Sequence, residues 1–255
     1  MGKSYMKTLV LIFLLGSAVF VAISAFCFAD VTEGFWVSKA PVQQARADLG
    51  VAVVNGKIYA IGGVINPPSW NQAVGTNEEY NPTTDTWTFK KPMPTNRSQF
   101  GIAVYQNKIY CIGGSYGTVS FVDGHVDRIE VHAVKVNEVY DPATDTWETK
   151  APMPTPALNI QANVADGKIY VIGGSTNGTL NQVYDPATDS WTIKTSIPTA
   201  VSSYASAVIG NKIYIFSSNL TQIYNAENDS WSLGTPGTFT CNLSDRGRNN
   251  RLACS

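Results

Sequence analysis

Apolar residues in this chain recur in short bursts separated by turn residues, and beyond the first 29 positions they never follow a helical period. The burst Val51–Val54 ends at Asn55-Gly56, a dipeptide suited to the positive φ of a tight hairpin turn, and Lys57–Gly62 follows as a second strand. Trp87, Thr88, Phe89 and Lys90 alternate apolar with polar, so one side of that strand faces a core and the other faces water. Pro82, Pro142 and Pro186 fix φ for tight turns just before such strands. The pattern predicts an all-β protein.

The bursts also repeat, and in one order. A turn and strand come first: Asn55-Gly56-Lys57-Ile58-Tyr59, Asn107-Lys108-Ile109-Tyr110, Asp166-Gly167-Lys168-Ile169-Tyr170 and Asn211-Lys212-Ile213-Tyr214. A glycine pair follows, Gly62-Gly63, Gly113-Gly114 and Gly173-Gly174, with Ser217-Ser218 in the fourth copy. Each copy then has a tyrosine and, seven residues on, a tryptophan: Tyr80/Trp87, Tyr140/Trp147, Tyr184/Trp191 and Tyr224/Trp231. An aspartate precedes each tryptophan, at Asp85, Asp145, Asp189 and Asp229, where turn formation explains it better than catalysis.

This layout resembles the kelch repeat over residues 35–236. The resemblance implies a β-propeller with one four-stranded blade per repeat, the first strand innermost, over about 35–94, 95–154, 155–198 and 199–236. A lone sheet of this kind has two apolar faces, and stacking blades covers them with the neighbours' Tyr and Trp. On that reading Trp36, Trp87, Trp147, Trp191 and Trp231 are core. Phe35-Trp36-Val37 reads as an orphan outer strand before the first full repeat, and 237–255 as an irregular tail without repeat features. A strained four-bladed ring stays open as an alternative, but the orphan strand favours an incomplete one.

Lys3 and Lys7 precede Leu9–Ala29, a run without charge that ends in small residues. It is expected to act as a secretory signal cleaved after Ala29 or as a retained membrane anchor, leaving the rest secreted or on the extracellular side of the membrane. A net charge of −1 supplies no basic excess for nucleic acid. Four cysteines, one inside the leader, are too few for a disulfide framework; Cys111 reads as core, and Cys241 with Cys254 can pair only in an oxidising compartment. Neither a cofactor nor a structural metal is expected. Sequons stand at Asn96, Asn177, Asn219, Asn228 and Asn242.

The first two repeats carry insertions between glycine pair and tyrosine, 63–80 and 114–140, in loops that the resemblance places on one propeller face. Loops on a rigid scaffold concentrate binding residues. Candidates are Trp70, Asn71, Tyr116, Phe121, Asp123, His125, Asp127, Arg128, Glu130 and His132. Asp123, His125 and Asp127 fall at period two, as a weak candidate ion row. Arg46 and Arg97, ten residues after Trp36 and Trp87, occupy loops where kelch modules often contact acidic partners, although Ala157 and Val201 stand there in the later repeats. Expected is an exported non-catalytic module that binds a protein or glycan at the cell surface. The alternatives are a carbohydrate-active kelch enzyme, of the sialic-acid epimerase or galactose oxidase kind, and an inactive propeller fragment. Only two histidines are present and no Tyr–Cys pair aligns for an oxidase.

Overall fold

The computed structural model describes residues 36–65, 72–122, 125–217 and 220–235, with the backbone alone at 119, 121–122, 125–126 and 128–129. The chain divides into Met1–Ser38 and Lys39–Ser255. Only 36–38 of the first unit are described; the leader and 236–255 lie outside the described residues. Among the described residues no helix is long and apolar enough to cross a membrane.

The second unit holds four antiparallel four-stranded sheets. The first has β1 (Gly50–Val54), β2 (Lys57–Ile61), β5 (Asn77–Asn81) and β6 (Thr86–Lys90), in that order across the sheet. Between β2 and β5 runs the small hairpin β3 (Val64–Ile65) and β4 (Gln72–Ala73). The second sheet has β7 (Gly101–Tyr105), β8 (Lys108–Ile112), β11 (Asn137–Asp141) and β12 (Thr146–Thr149). Its insertion is a long hairpin, β9 (Ser115–Val122) and β10 (His125–Ala133). The third sheet has β13 (Ala162–Ala165), β14 (Lys168–Ile172), β15 (Asn181–Asp185) and β16 (Ser190–Lys194), and the fourth β17 (Ala205–Ile209), β18 (Lys212–Ser217), β19 (Leu220–Asn225) and β20 (Ser230–Leu233).

The expected turn chemistry is present: Asn55 and Gly56 both take positive φ, 50° and 70°, and set Val54 opposite Lys57. Strand β2 stops one residue short of Gly62. Gly62 turns to φ 64°, and a Cβ there would sit 2.7 Å from the Arg97 carbonyl. Gly113 repeats this at φ 65°, 2.7 Å from the Ala157 carbonyl. These glycines are required because neighbouring sheets touch backbone to backbone at that point.

The core lies between sheets, in three seams. In the first, Ala52, Val54, Tyr59 and Ile61 pack on Phe100, Ile102, Val104, Ile109 and Cys111 of the next sheet. In the second, Ala103, Tyr110, Ile112 and Val139 pack on Ala162, Val164, Ile169 and Val171. In the third, Ala165, Tyr170, Ile172 and Val183 pack on Val208, Ile213 and Ile215. Each sheet therefore has a forward face and a rear face, as alternation along a strand dictates. The inner strands β1 and β7, β7 and β13, and β13 and β17 lie side by side; no contact of similar extent joins β17 to β1 among the described residues. Among the described residues the result is a row of propeller blades with no strand pairing between the fourth and the first.

The repeat tyrosines and tryptophans stack within each blade, with centroids 5.0 Å apart for Tyr80–Trp87 and 5.2 Å for Tyr184–Trp191. Trp36 departs from the expectation: it is 103% exposed. The other four tryptophans are stacked by the tyrosine of their own blade, and among the described residues no tyrosine stacks on Trp36.

Candidate functional site

Among the described residues, one edge of the unit carries both hairpin insertions. The segment entering each blade's inner strand pairs with the start of the loop leaving its second strand: Ala47 and Val64 exchange bonds of 2.9 and 2.8 Å, Ser98 and Ser115 likewise, and Ser175 donates to Leu158. At this edge Asp48, Gln99, Asn159 and Ser203 occupy one repeat position, twelve residues after Trp36, Trp87, Trp147 and Trp191. All four take positive φ, 52° to 56°. That conformation is costly for a residue other than glycine and persists where the surroundings hold it. Here three of the N–H groups reach the preceding member of the set: Gln99 donates to Asp48 O at 3.1 Å, Asn159 to Gln99 O at 3.0 Å and Ser203 to Asn159 O at 3.1 Å.

These four residues ring a cavity of about 320 Å³ floored by Leu49, Phe100, Ile160 and Tyr204. Gln99 Nε2 donates to Asp48 Oδ2 at 3.2 Å, Ser115 Oγ to Gln99 Oε1 at 3.1 Å, and Asn159 Nδ2 to Ser175 Oγ at 2.9 Å. The mouth thus offers a carboxylate, two amides and a hydroxyl over an apolar floor. The Tyr204 hydroxyl is used internally, donating to Ile172 O, and burial pushes it up to about 12. Sequence reasoning passed over this ring, although its one signal, a polar residue at a fixed distance from each Trp, is visible.

The two hairpins stand next to the mouth, β4 against β9. Tyr116, 40% exposed, stacks on His132 with centroids 5.1 Å apart, and His132 Nε2 meets Thr118 Oγ1 at 3.0 Å. Glu130 lies 3.7 Å from the same imidazole nitrogen. Asp127 is exposed at a bulge between Val126 and Arg128. His125 pairs with Val122 and Arg128 with Ser120 in the backbone register, and Phe121 with Val126. Trp70, Asn71 and Asp123 lie outside the described residues. Among the described residues no group of three His, Cys, Asp or Glu comes together as a metal site.

Arg46 and Arg97 are inside the molecule, so neither guanidinium faces a partner. Arg97 is fully buried, pairs with Glu138, and donates to the carbonyls of Gly113 (2.9 Å), Thr95 (2.9 Å) and Cys111 (2.7 Å). Arg46 pairs with Glu78 and donates to Ala60 O at 2.8 Å. In the third and fourth blades the arginine becomes Ala157 or Val201, and the glutamate becomes Gln182 or Gln222. The amide then takes both backbone groups of one loop residue: Gln182 accepts from Thr155 N at 2.8 Å and donates to Thr155 O at 3.1 Å, and Gln222 does the same with Thr199. Charge is thus replaced by charge-free pairing at both partners together.

The repeat aspartates are fasteners between blades. Asp145 accepts the Tyr140 hydroxyl at 2.6 Å and the backbone N–H of Lys91, in the preceding blade, at 2.9 Å. The tyrosine hydrogen bond, with help from that N–H, holds the Asp145 carboxyl below the usual carboxylate range. Asp85, Asp189 and Asp229 are lowered in the same way; at Asp229 burial works in the opposite direction and is outweighed by bonds from Tyr224 and Thr195. Burial pushes the Cys111 thiol up to about 12, despite the nearby Arg97 charge, so it is no nucleophile.

The family model described as Kelch motif matches residues 45–94 and 96–154. The chain is 31% identical over 161 residues to Kelch repeat and BTB domain-containing protein 12 of Homo sapiens, covering 57% of this chain and 24% of that protein. It is 31% identical over 151 residues to Kelch-like protein terF of Aspergillus terreus, covering 57% of this chain and 31% of the relative. Over 77 residues, 30% of this chain and 11% of the relative, it is 44% identical to the Influenza virus NS1A-binding protein of Homo sapiens. The chain thus spans less than a third of the length of these curated relatives. Among solved structures, that of YjhT superposes with a TM-score of 0.61 at 16% identity, covering 79% of this chain and 68% of that one. That likeness is one of fold.

Proposed function

Because this chain is built of kelch repeats folded as an incomplete propeller, we propose that it is a non-catalytic binding module whose loop-bearing face engages a protein or glycan at the cell surface. The observation that carries this reading is the asymmetry of that face. Two of the four blades, the first and second, carry extra hairpins, and these stand side by side at the edge of a polar-rimmed, apolar-floored mouth. A rigid β scaffold with local insertions next to a concave surface is the arrangement that binding modules use. A relative named as a binding protein for a viral protein supports a protein partner.

Binding of the full chain to cell surfaces and to an array of glycans tests this. Tyr116→Ala and Asp48→Ala are expected to weaken the signal at least about tenfold without moving the unfolding midpoint, the loss expected of an anchor residue. Unchanged binding in both variants removes the face from the proposal. Turnover of sialic acid or galactose, with or without copper, transfers the chain to the carbohydrate-active reading. Export through residues 1–29 is tested separately: N-terminal sequencing of secreted protein is expected to begin at Asp30 or to find the leader intact on membranes.

A further inference from the structure

The first blade closes a small polar network that the second blade leaves open. In the first, the Tyr59 hydroxyl donates to Glu79 Oε2 at 2.7 Å across the β2–β5 pair, and Lys90 on β6 approaches the same oxygen at 3.7 Å. In the second, the tyrosine and the lysine recur as Tyr110 and Lys150, but Val139 stands opposite Tyr110 where Glu79 stands opposite Tyr59. The carboxylate has moved one strand outward, to Glu148 in the place of Thr88. There it takes Lys150, with its own side chain 60% exposed.

Tyr110 is thereby stranded. It is only 5% exposed, yet among the described residues its hydroxyl has no hydrogen-bond partner. A buried hydroxyl left unpaired is costly. This one belongs to a residue that borders open space: Tyr110, Val139, Glu148 and Lys150 line a cleft of about 250 Å³ between the second and third blades, together with Lys108 and, from the third blade, Pro186. Burial, with the Glu148 charge beside it, raises Tyr110 above its ordinary value, so at neutral pH it is a proton donor. Lys108 is held by Asp141 at 3.1 Å and Lys150 by Glu148, but an ammonium has three N–H groups, so each keeps donors to spare. The charges lining the cleft are thus two ammonium groups against one carboxylate.

We propose that this cleft binds a small carboxylate, in the place that Glu79 fills in the first blade. The carboxylate accepts from the Tyr110 hydroxyl and faces the Lys150 ammonium, while its carbon chain lies against Val139 and Pro186. The space is smaller than the pockets that drug-sized ligands occupy. The carboxylate therefore belongs to a short free acid or to an acidic side chain of a partner polypeptide. The cleft lies at the start of β8, whereas the long hairpin leaves after its end, so this site is separate from the loop-bearing face and is tested independently of it.

NMR titration of the full chain with propionate and with acetyl-Gly-Glu-Gly-amide tests the proposal. Saturable shifts are expected at the amides of Lys108, Tyr110 and Val139. Saturation by propionate alone marks a free acid, and tighter binding of the peptide marks an acidic side chain. Tyr110→Phe is expected to weaken binding at least about tenfold, as for the loss of one hydrogen bond to a charged group. Its unfolding midpoint is expected to stay in place, because the hydroxyl has no partner in the fold to lose. Val139→Glu rebuilds the arrangement of the first blade and is expected to abolish binding in a protein that still folds. Tyr170→Phe removes the counterpart hydroxyl in the third blade, which does not line the cleft, and is expected to bind normally. The proposal is overturned if neither probe gives saturable shifts, or if propionamide and the Gln peptide bind as well as the acids. It is equally overturned if Tyr110→Phe or a folded Val139→Glu protein binds like the unmodified one, or if Tyr170→Phe weakens binding as much as Tyr110→Phe.

Discussion

Trp147 donates its indole N–H to the backbone carbonyl of Lys91 at 2.8 Å, across a seam and 56 residues back along the chain. Asp145 takes the N–H of that same residue. Both backbone groups at the end of one blade's outer strand are therefore held by the next blade. The arrangement recurs with Ala40 under Asp85 and Trp87, Ala151 under Asp189 and Trp191, and Thr195 under Asp229 and Trp231.

Trp147→Phe keeps an aromatic ring against Tyr140 and deletes the N–H alone. The expected loss is about 0.5–1.5 kcal/mol, that of one intramolecular hydrogen bond. Urea unfolding measures it, with an unchanged denaturant slope.

Arg97→Ala strands the Glu138 carboxylate in the interior and is expected to cost about 3–5 kcal/mol. Adding Glu138→Gln rebuilds the Ala157–Gln182 pairing of the third blade and is expected to recover most of that loss. A double variant as unstable as the single one contradicts the equivalence of the two arrangements. The comparison needs chemical denaturation of three proteins.

The four fastening aspartates have folded-state values below their ordinary one, so they bind protons less readily folded than unfolded. Their stabilisation is complete above the unfolded value, about 3.9, and disappears as pH falls from there through the depressed values. The tyrosines run the other way. Burial and the Asp145 hydrogen bond raise Tyr140, so its contribution is complete below about pH 10 and lost as pH rises through the folded value. Thermal midpoints are expected to form a plateau that falls at both ends, and Asp145→Asn is expected to soften both limbs.

Gly113→Ala meets two obstacles, a left-handed φ and the Ala157 carbonyl 2.7 Å from the new Cβ, whereas Gly56→Ala meets only the first, with nothing within 4 Å. Gly56→Ala is expected to cost about 1 kcal/mol and Gly113→Ala clearly more. Equal unfolding midpoints contradict the close approach of the blades.

The repeated Tyr, Trp and glycine pair were legible because burial between identical neighbours forces identical residues at identical spacing. The arginines were not. Arg97 and Glu138 lie 41 residues apart, and without the fold a charged residue in a loop reads as solvent-facing. Trp36 follows the same spacing as the partly buried tryptophans, but spacing carries no information on whether a stacking tyrosine exists beside it. The ring of Asp48, Gln99, Asn159 and Ser203 was hidden by chemistry: Gln and Ser rarely adopt positive φ, and four different side chains conceal one shared backbone conformation.

Since the interior is partitioned into equivalent seams, adding or deleting one whole blade leaves every remaining junction matched. Gene rearrangements that move complete repeats are tolerated by such a molecule, while a cut through the middle of a blade exposes strand edges that nothing else can satisfy. The length of the row is then evolutionarily adjustable in units of one sheet.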